Sequence, residues 1–177
     1  MLMAGMELCA VFTMSESNKE QETECCPPFK AEPWHDKLHQ WLNKPFIKTT
    51  LRSFWFMPIG FGKAMRRLDA LRRSKNAKHP EHLTLAEHPS KWRINLLQAV
   101  DHPIPDVQSE TLDGTFYSRV YEGDYSNMNR WMQDFERALK VKKLKAKRIF
   151  MWYTTCPECA KKMGRNPTVI VAEVGNV

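Results

Sequence analysis

The sequence lacks any apolar stretch long enough to cross a bilayer. A membrane helix needs roughly 18 or more consecutive apolar residues, and Arg, Lys or Pro interrupts the longest apolar stretches among these 177 residues. Residues 1–14 are mildly apolar, but no Lys or Arg precedes their apolar part, as a secretory signal would require. We therefore expect a cytoplasmic protein without a membrane partner.

The sequence also lacks the common short motifs of nucleotide and serine-hydrolase chemistry. It contains no phosphate-binding loop, no G-x-G-x-x-G fingerprint, no G-x-S-x-G elbow and no H-E-x-x-H pair. These absences argue against nucleotide-binding, serine-hydrolase and zincin-type mechanisms.

The composition is that of a globular domain. Hydrophobic residues make up 42% of the chain and charged residues 27%, with a formal net charge of +7. Residues 15–24 contain no apolar residue, so we expect a disordered leader over residues 1–24 and a single domain over residues 25–177. Proline and tryptophan are dense in residues 25–45, which predicts an irregular arm with Trp34, Leu38 and Trp41 on one short helical turn.

Beyond the arm, a strand, a glycine turn, an amphipathic helix and a further strand occur in the same order twice. The first set is Phe46–Met57, Gly60 and Gly62, Lys63–Arg73 and Lys91–Val100, with a polar, His-rich loop before the last strand. The second set is Thr115–Tyr121, Gly123, a helix capped by Ser126, Lys147–Thr155 and a return strand, Pro167–Val174. Each helix has one apolar stripe: Ala64, Leu68 and Leu71 in the first, and Met128, Trp131, Phe135 and Leu139 in the second.

This repetition predicts an α+β domain of two β-α-β-β halves. Lys91–Ile94 (Lys-Trp-Arg-Ile) and Ala146–Ile149 (Ala-Lys-Arg-Ile) are similar in sequence, and each follows a predicted helix, which supports the duplication. Residues 101–107 are too rich in proline for a central strand, so an edge strand or a loop is expected there.

The segment Tyr117–Trp131 resembles the strand-Glu-Gly-x-Tyr-helix signature of GyrI-like (gyrase-inhibitor-like) small-molecule-binding proteins, through the spacing of Glu122, Gly123 and Tyr125. Three further segments are similar in sequence to a bacterial branch of that group whose members are often named hydrolases: Cys25–Phe29, Trp34–Phe46 and Tyr153–Gly164. The resemblance covers nearly all of residues 25–174.

This resemblance implies a pseudo-twofold antiparallel sheet with two helices packed on one face and a ligand cleft between the halves on the other. It implies binding of an apolar or aromatic small molecule, with hydrolysis of an electrophilic substrate as a further activity. Many relatives carry a ligand-facing Glu on the strand after the second helix. Here that strand, Ile149–Thr155, contains no carboxylate.

Several residues are candidates for the cleft. Glu122, beside the glycine turn, is the candidate general acid or base, with Tyr153 or Tyr125 as its partner, although a surface Glu at a strand end is the alternative interpretation. The candidate ligand-binding aromatic residues are Trp55, Trp92, Trp152 and Tyr117. Strand alternation places Trp152 and Tyr153 on opposite faces, so one of the two faces the helices.

The cysteines form the other candidate site. An odd count of five, with no secretory signal, favours reduced thiols over disulfides. Cys156-Pro-Glu-Cys159 is half of a zinc site, and Cys25 and Cys26 are the candidate second half, with His35 or His39 as a substitute for one thiol. Redox-active or partly buried thiols are the alternatives. No cofactor is required by the sequence, and structural zinc is the one it offers.

Two basic runs suit cations at helix C-termini and a solvated surface. They comprise Lys140, Lys142, Lys143, Lys145, Lys147 and Arg148 in the second half, and Arg66, Arg67, Arg72, Arg73 and Lys75 in the first. No stacking aromatics interleave with them, which argues against nucleic acid as the partner. The alternative to a ligand-binding domain is a non-catalytic, zinc-stabilised module whose basic helices bind an acidic partner or, less in keeping with these runs, nucleic acid.

Overall fold

The computed structural model describes residues 26–176, which form seven antiparallel strands and three α-helices. In chain order the elements are β1 (Lys37–Phe54), β2 (Met57–Pro58), α1 (Phe61–Ser74), β3 (Thr84–Ser90), β4 (Arg93–Ala99), β5 (Ser109–Glu122), α2 (Met128–Val141), β6 (Leu144–Tyr153), α3 (Pro157–Met163) and β7 (Pro167–Asn176). None of the described helices is long and apolar enough to cross a membrane.

The sheet confirms the duplicated α+β architecture. Its strand order is β2-β1-β4-β3-β6-β7-β5, and β1 also pairs with β5, so the six main strands form a closed sheet. The order β1-β4-β3 in the first half mirrors β5-β7-β6 in the second. The halves meet at β3 and β6, where Ala86 pairs with Met151 and Glu87 with Phe150, and again along the β1–β5 pairing.

Apolar residues fill both faces of this sheet. On the outer face, the helix stripes pack against the strands through Leu68, Trp131 and Phe135, which confirms the predicted stripes. The opposite face, which we call the inner face, holds a second cluster contributed by all six main strands and the segment before β1. Its aromatic members are Trp34, Trp41, Phe46, Phe116, Phe150 and Trp152.

The turn into α2 depends on glycine and on an aspartate cap. Gly123 has a φ of 125°, a conformation that residues with a side chain rarely adopt. Asp124 Oδ1 then accepts a hydrogen bond from the Ser126 backbone N–H at 2.8 Å. The prediction of Ser126 as the helix N-cap is wrong, because a short 3₁₀ turn over Tyr125–Asn127 comes before the helix and Asp124 caps that turn.

The predicted irregular arm is too long. β1 begins at Lys37 rather than Phe46, and its first part pairs with β5 from Lys37–Ser118 to Ile47–Ser109. A register shift between Trp41 and Lys44, where Asn43 has a φ of 48°, breaks the strand alternation. Trp34, Leu38 and Trp41 do not share a helical turn, because Trp34 precedes β1 whereas Leu38 and Trp41 lie within it.

The His-rich segment predicted as a loop contains β3. Residues 84–90 pair with β4 on one side and with β6 on the other. The first half is therefore a complete β-α-β-β unit in which Arg93–Ala99 is the return strand, and residues 101–107 form a loop. Lys91–Ile94 and Ala146–Ile149 are similar in sequence but not equivalent in the structure. Lys91–Ile94 leads into β4, the second strand after α1, whereas Ala146–Ile149 lies in β6, the first strand after α2.

Candidate functional site

Four charged side chains form a cluster on the inner face. Arg148 of β6 donates from Nε to Glu87 Oε1 and from Nη1 to Glu110 Oε1, each at 2.7 Å. Lys48 of β1 binds the other oxygen of Glu110, also at 2.7 Å. Strands from both halves therefore supply this cluster, whose side chains are only 16–30% exposed.

The environment of the cluster keeps both carboxylates ionised. Burial raises the pKa of Glu87, but hydrogen bonds from Arg148 and Asn95 outweigh it and leave the pKa below its usual value. For Glu110, burial likewise acts to raise the pKa, and hydrogen bonds from Lys48 and Arg148 lower it further than burial raises it. Hydrogen bonding to Glu87 raises the pKa of Arg148. The cluster thus holds two negative and two positive charges at neutral pH.

A chain of hydrogen bonds connects this cluster to an open cavity. Asn95 Nδ2 donates to Glu87 Oε2 at 3.0 Å, and Thr50 Oγ1 donates to Asn95 Oδ1 at 3.1 Å. Thr50 lines a cavity of about 990 Å³ between the end of β1 and the β3–β4 hairpin. Two side chains, those of Thr50 and Asn95, therefore connect a molecule in this cavity to the carboxylate of Glu87.

Two arginines and two aromatic rings border the same cavity. Arg52 and Arg93 are directly opposite partners in the β1–β4 pairing, and both are exposed. Phe54 and Trp92, whose ring centroids are 5.6 Å apart, also line it. Of the sequence-predicted residues, Trp92 contributes to the lining. Trp55 lies nearby, since Lys91 Nζ contacts the rings of both tryptophans, at 4.3 Å for Trp55 and 5.3 Å for Trp92.

The predicted catalytic residues lie at another place. Tyr125 and Tyr153 stack edge to face with centroids 5.4 Å apart, and burial raises the pKa of Tyr153 to about 12. Glu122 is ion-paired with Arg165, and its side chain is 45% exposed. Tyr125 donates to Asn166, the residue after Arg165, at 3.2 Å. The three predicted residues thus lie near one another where β5, β6 and α2 meet, and none of them lines the cavity.

The other two predicted aromatic residues are buried on opposite faces. Trp152 is 4% exposed on the inner face and packs edge to face against Trp34 at 4.8 Å. Tyr153 packs with the outer-face cluster, so the expected opposition of Trp152 and Tyr153 is confirmed. Tyr117 is fully buried under α2, where its hydroxyl donates to Asp36 at 2.5 Å. Burial and this hydrogen bond raise the pKa of Tyr117 to about 12.

The structure brings three of the predicted metal ligands together. The sulfur atoms of Cys26, Cys156 and Cys159 all lie within 4.8 Å of one another. Cys25 is outside the described residues. Neither candidate substitute is a member of this sulfur cluster, because His35 bonds the Val120 carbonyl and His39 bonds Ser118 Oγ.

The inner-face carboxylates were missed in the sequence for a local reason. Glu87 stands among His82, His88 and Pro89, a composition that predicts a loop. Its strand, β3, is the pseudo-symmetry equivalent of β6, a strand that contains no carboxylate. The cluster therefore carries its carboxylate on the first-half counterpart of that strand.

Comparisons with known proteins agree with this fold. The model of a family described as Bacterial hydrolase matches residues 16–174. The C-terminal domain of EcmrR superposes with a TM-score of 0.61 at 9% identity, covering 81% of this chain and 99% of that chain. An uncharacterized conserved protein from Listeria innocua gives a TM-score of 0.59 at 10% identity, with coverages of 80% and 92%. No curated protein matches the sequence.

Proposed function

Because this chain belongs to the bacterial hydrolase family, we propose that it binds a small aromatic molecule carrying an anionic group in the cavity beside Arg52 and Arg93. The opposed pair of arginines is the observation that carries this proposal. Like charges directly across a strand pair destabilise a sheet. Among the described residues, no acidic side chain forms an ion pair with either arginine. An anionic ligand would remove this repulsion.

The walls of the cavity support an aromatic ligand. Phe54 is 65% exposed and Trp92 is 50% exposed, and both rings stand beside the arginines. Exposed aromatic rings offer a planar ligand stacking and burial, and an arginine fork offers its anionic group paired hydrogen bonds. Ligand sites typically combine apolar walls with a few such polar groups.

We further propose that hydrolysis, the activity in the family's name, uses Glu87 rather than Glu122. With its pKa lowered, Glu87 is ionised and can accept a proton directly from an attacking water, while Asn95 and Thr50 would orient that water by hydrogen bonds. Arg52 and Arg93 would stabilise negative charge that develops on an electrophilic group in the cavity. Within the part of the chain that the structure describes, Glu122, by contrast, neither lines the cavity nor is hydrogen-bonded to a residue that does.

Fluorescence titration with 8-anilinonaphthalene-1-sulfonate, an anionic aromatic probe, tests the binding site. We expect saturable binding to the wild-type protein. Arg52→Gln and Arg93→Gln should each weaken it about tenfold, since a hydrogen bond to a charged group contributes about 1.5 kcal/mol or more. Arg67→Gln, which removes an exposed charge from α1, is the matched control and should bind the probe normally. Equal affinity in all four proteins would contradict the proposed site.

Hydrolysis of 4-nitrophenyl acetate, a small electrophilic ester, tests the assignment of the carboxylate. Glu87→Gln should lower the protein-dependent rate about 100-fold, the usual effect of losing a general base. Glu122→Gln should leave that rate unchanged. If Glu122→Gln abolishes turnover and Glu87→Gln does not, the chemistry belongs to the surface of Glu122, Tyr125 and Tyr153.

A further inference from the structure

Outside the cavity, three cysteines form a cluster whose side chains could bind a metal ion. Cys26 is the first residue that the structure describes. Cys156 is the N-cap of α3, and Cys159 lies in the first turn of that helix. Although 130 residues separate Cys26 from Cys156, their sulfurs and that of Cys159 all lie within 4.8 Å of one another. We propose that these three cysteines bind one Zn²⁺ ion as thiolates and so fasten the segment before β1 to α3. This proposal is independent of the ligand-binding cavity.

The distances fit tetrahedral zinc coordination. Zinc–sulfur bonds of about 2.3 Å at tetrahedral angles place sulfurs about 3.8 Å apart. The observed limit of 4.8 Å accommodates that separation with a small adjustment of side chains. The spacing Cys156-Pro-Glu-Cys159 is also the C-x-x-C spacing that zinc sites use. Three sulfurs supply three of the four ligands of a tetrahedral site.

Backbone hydrogen bonds hold two of the sulfurs in place. The N–H of Cys156 donates to Cys26 Sγ at 3.2 Å, and the N–H of Cys159 donates to Cys156 Sγ at 3.4 Å. Such bonds orient metal ligands in the shell around a site. Two of the three sulfurs are therefore prepared to bind a cation.

The segment that the metal would fasten is short of regular structure. Residues 26–36 form neither a helix nor a strand, yet they place apolar side chains against the inner face. Phe29 packs on Trp152 with centroids 5.5 Å apart, and Trp34, packed on the same ring, is only 6% exposed. Metal bound at Cys26 would hold this segment against the sheet. Zinc binding would accordingly contribute to folding stability.

Metal analysis of the full-length, tag-free protein tests the site. After reduction and dialysis against excess Zn²⁺ followed by zinc-free buffer, we expect about one zinc per chain. Cys156→Ser and Cys159→Ser should each retain less than about a fifth of that zinc. Cys9→Ser is the matched control, since it also removes one thiol, and it should bind zinc as the wild type does.

Two measurements on the wild-type protein keep the test valid if the serine variants fold poorly. Replacement of zinc by Co²⁺ should give the sulfur-to-cobalt charge-transfer bands and visible absorption of a tetrahedral thiolate site. Chelation should lower the melting temperature, and added Zn²⁺ should restore it. The proposal is overturned if reduced wild-type protein retains no zinc and shows no cobalt–thiolate absorption, or if zinc content is the same in Cys156→Ser, Cys159→Ser and wild type.

Discussion

Arg148 is the residue on which the inner-face cluster depends, because it contacts both carboxylates. Because Lys145 and Lys147 are its neighbours, the sequence predicted Arg148 to be a surface cation in a basic run at a helix end. Pairing of β6 with β3 instead directs it onto the inner face, over the ring of Phe150 at 4.9 Å. A half-buried charge network of this kind contributes little net stability compared with apolar side chains of the same size.

Replacing Arg148 should nevertheless destabilise the protein. Arg148→Met keeps an unbranched apolar stem but removes the guanidinium, which leaves Glu87 and Glu110 with fewer partners. We expect a loss of about 1–3 kcal/mol in the free energy of unfolding, discounted from the fully buried case because water reaches the cluster. Urea denaturation at neutral pH measures it. Lys145→Met, on an exposed position of the same strand, is the control and should change little.

The pH dependence of the same variant gives an independent reading. Glu87 and Glu110 have lowered pKa values in the folded protein, so they stabilise it above their unfolded pKa of 4.5. That contribution disappears as the pH falls through the folded values, because the unfolded chain then takes up more protons. Arg148→Met should therefore lose less stability on acidification than the wild type does. Parallel curves would show that Arg148 does not set these pKa values.

His79 should make stability sensitive to mild acid. Burial lowers its pKa to about 4 from the ordinary 6.5, and nearby His82 and Arg72 act in the same direction, whereas a hydrogen bond to Leu83 O and the charge of Asp69 oppose them. Between pH 6.5 and about pH 4, the unfolded chain binds a proton that the folded chain does not. Stability should fall through this window as the pH decreases.

Urea midpoints measured across that window test the role of His79. His79→Gln should flatten the pH dependence relative to the wild type, while the exposed His102→Gln should preserve it. His39 and His88, whose pKa values burial also lowers, remain in every variant and so cancel in the comparison. If His79→Gln and wild type respond equally to pH, another group causes the acid sensitivity.

At the scale of elements, the hairpin between β1 and β2 stands out for its strain. Phe54 pairs with Met57, and the two residues between them, Trp55 and Phe56, have φ angles of 49° and 68°. Tight hairpins of this geometry normally use Asn-Gly, since bulky residues are disfavoured at positive φ. Both aromatic side chains are more than half exposed, so burial does not offset the strain.

Replacing this turn with its preferred residues should stabilise the protein. Trp55→Asn combined with Phe56→Gly relieves about 1–2 kcal/mol of strain per residue, reduced by the lost contact of Lys91 with the Trp55 ring. We expect a net gain of about 1–2 kcal/mol in the free energy of unfolding, measured by urea denaturation. An unchanged or lower stability would show that the aromatic residues make compensating contacts.

The elements that the sequence predicted best are those with local periodic signals. The stripes of α1 and α2 follow from 3.6-residue spacing, and the opposition of Trp152 and Tyr153 follows from strand alternation. The misplaced elements are those where tertiary pairing overrides local preference. β1 crosses a bulge at Asn43, and β3 forms in a segment rich in histidine because β4 and β6 flank it.

At the scale of the whole molecule, the fold determines which candidate residues can act together. Glu122, Tyr125 and Tyr153 were predicted as one group and do lie near one another. The partnership of Glu87, Glu110 and Arg148 joins three strands from both halves, so it depends on sheet register that no local pattern reveals. The pairing of Arg52 with Arg93 depends on the same kind of information.

The two halves of the duplicated sheet carry different features at equivalent ends, so the proposed function is asymmetric. The cavity lies at the end of the β1–β4 pair in the first half, whereas the cysteine cluster lies at the corresponding end of the second half, after β6. The charged cluster lies between them on the inner face. One half would thus bind a ligand while the other is held by a metal.

The most direct test of the ligand site is a map of backbone and indole NMR shifts as 8-anilinonaphthalene-1-sulfonate is added. Among the six tryptophans, Trp92 borders the cavity and Trp152 is buried away from it. We expect saturable shifts at the Trp92 indole and at Arg52, Arg93 and Thr50, with the Trp152 indole nearly unchanged. Shifts centred instead on Glu122, Tyr125 and Tyr153, with Trp92 unaffected, would contradict the account.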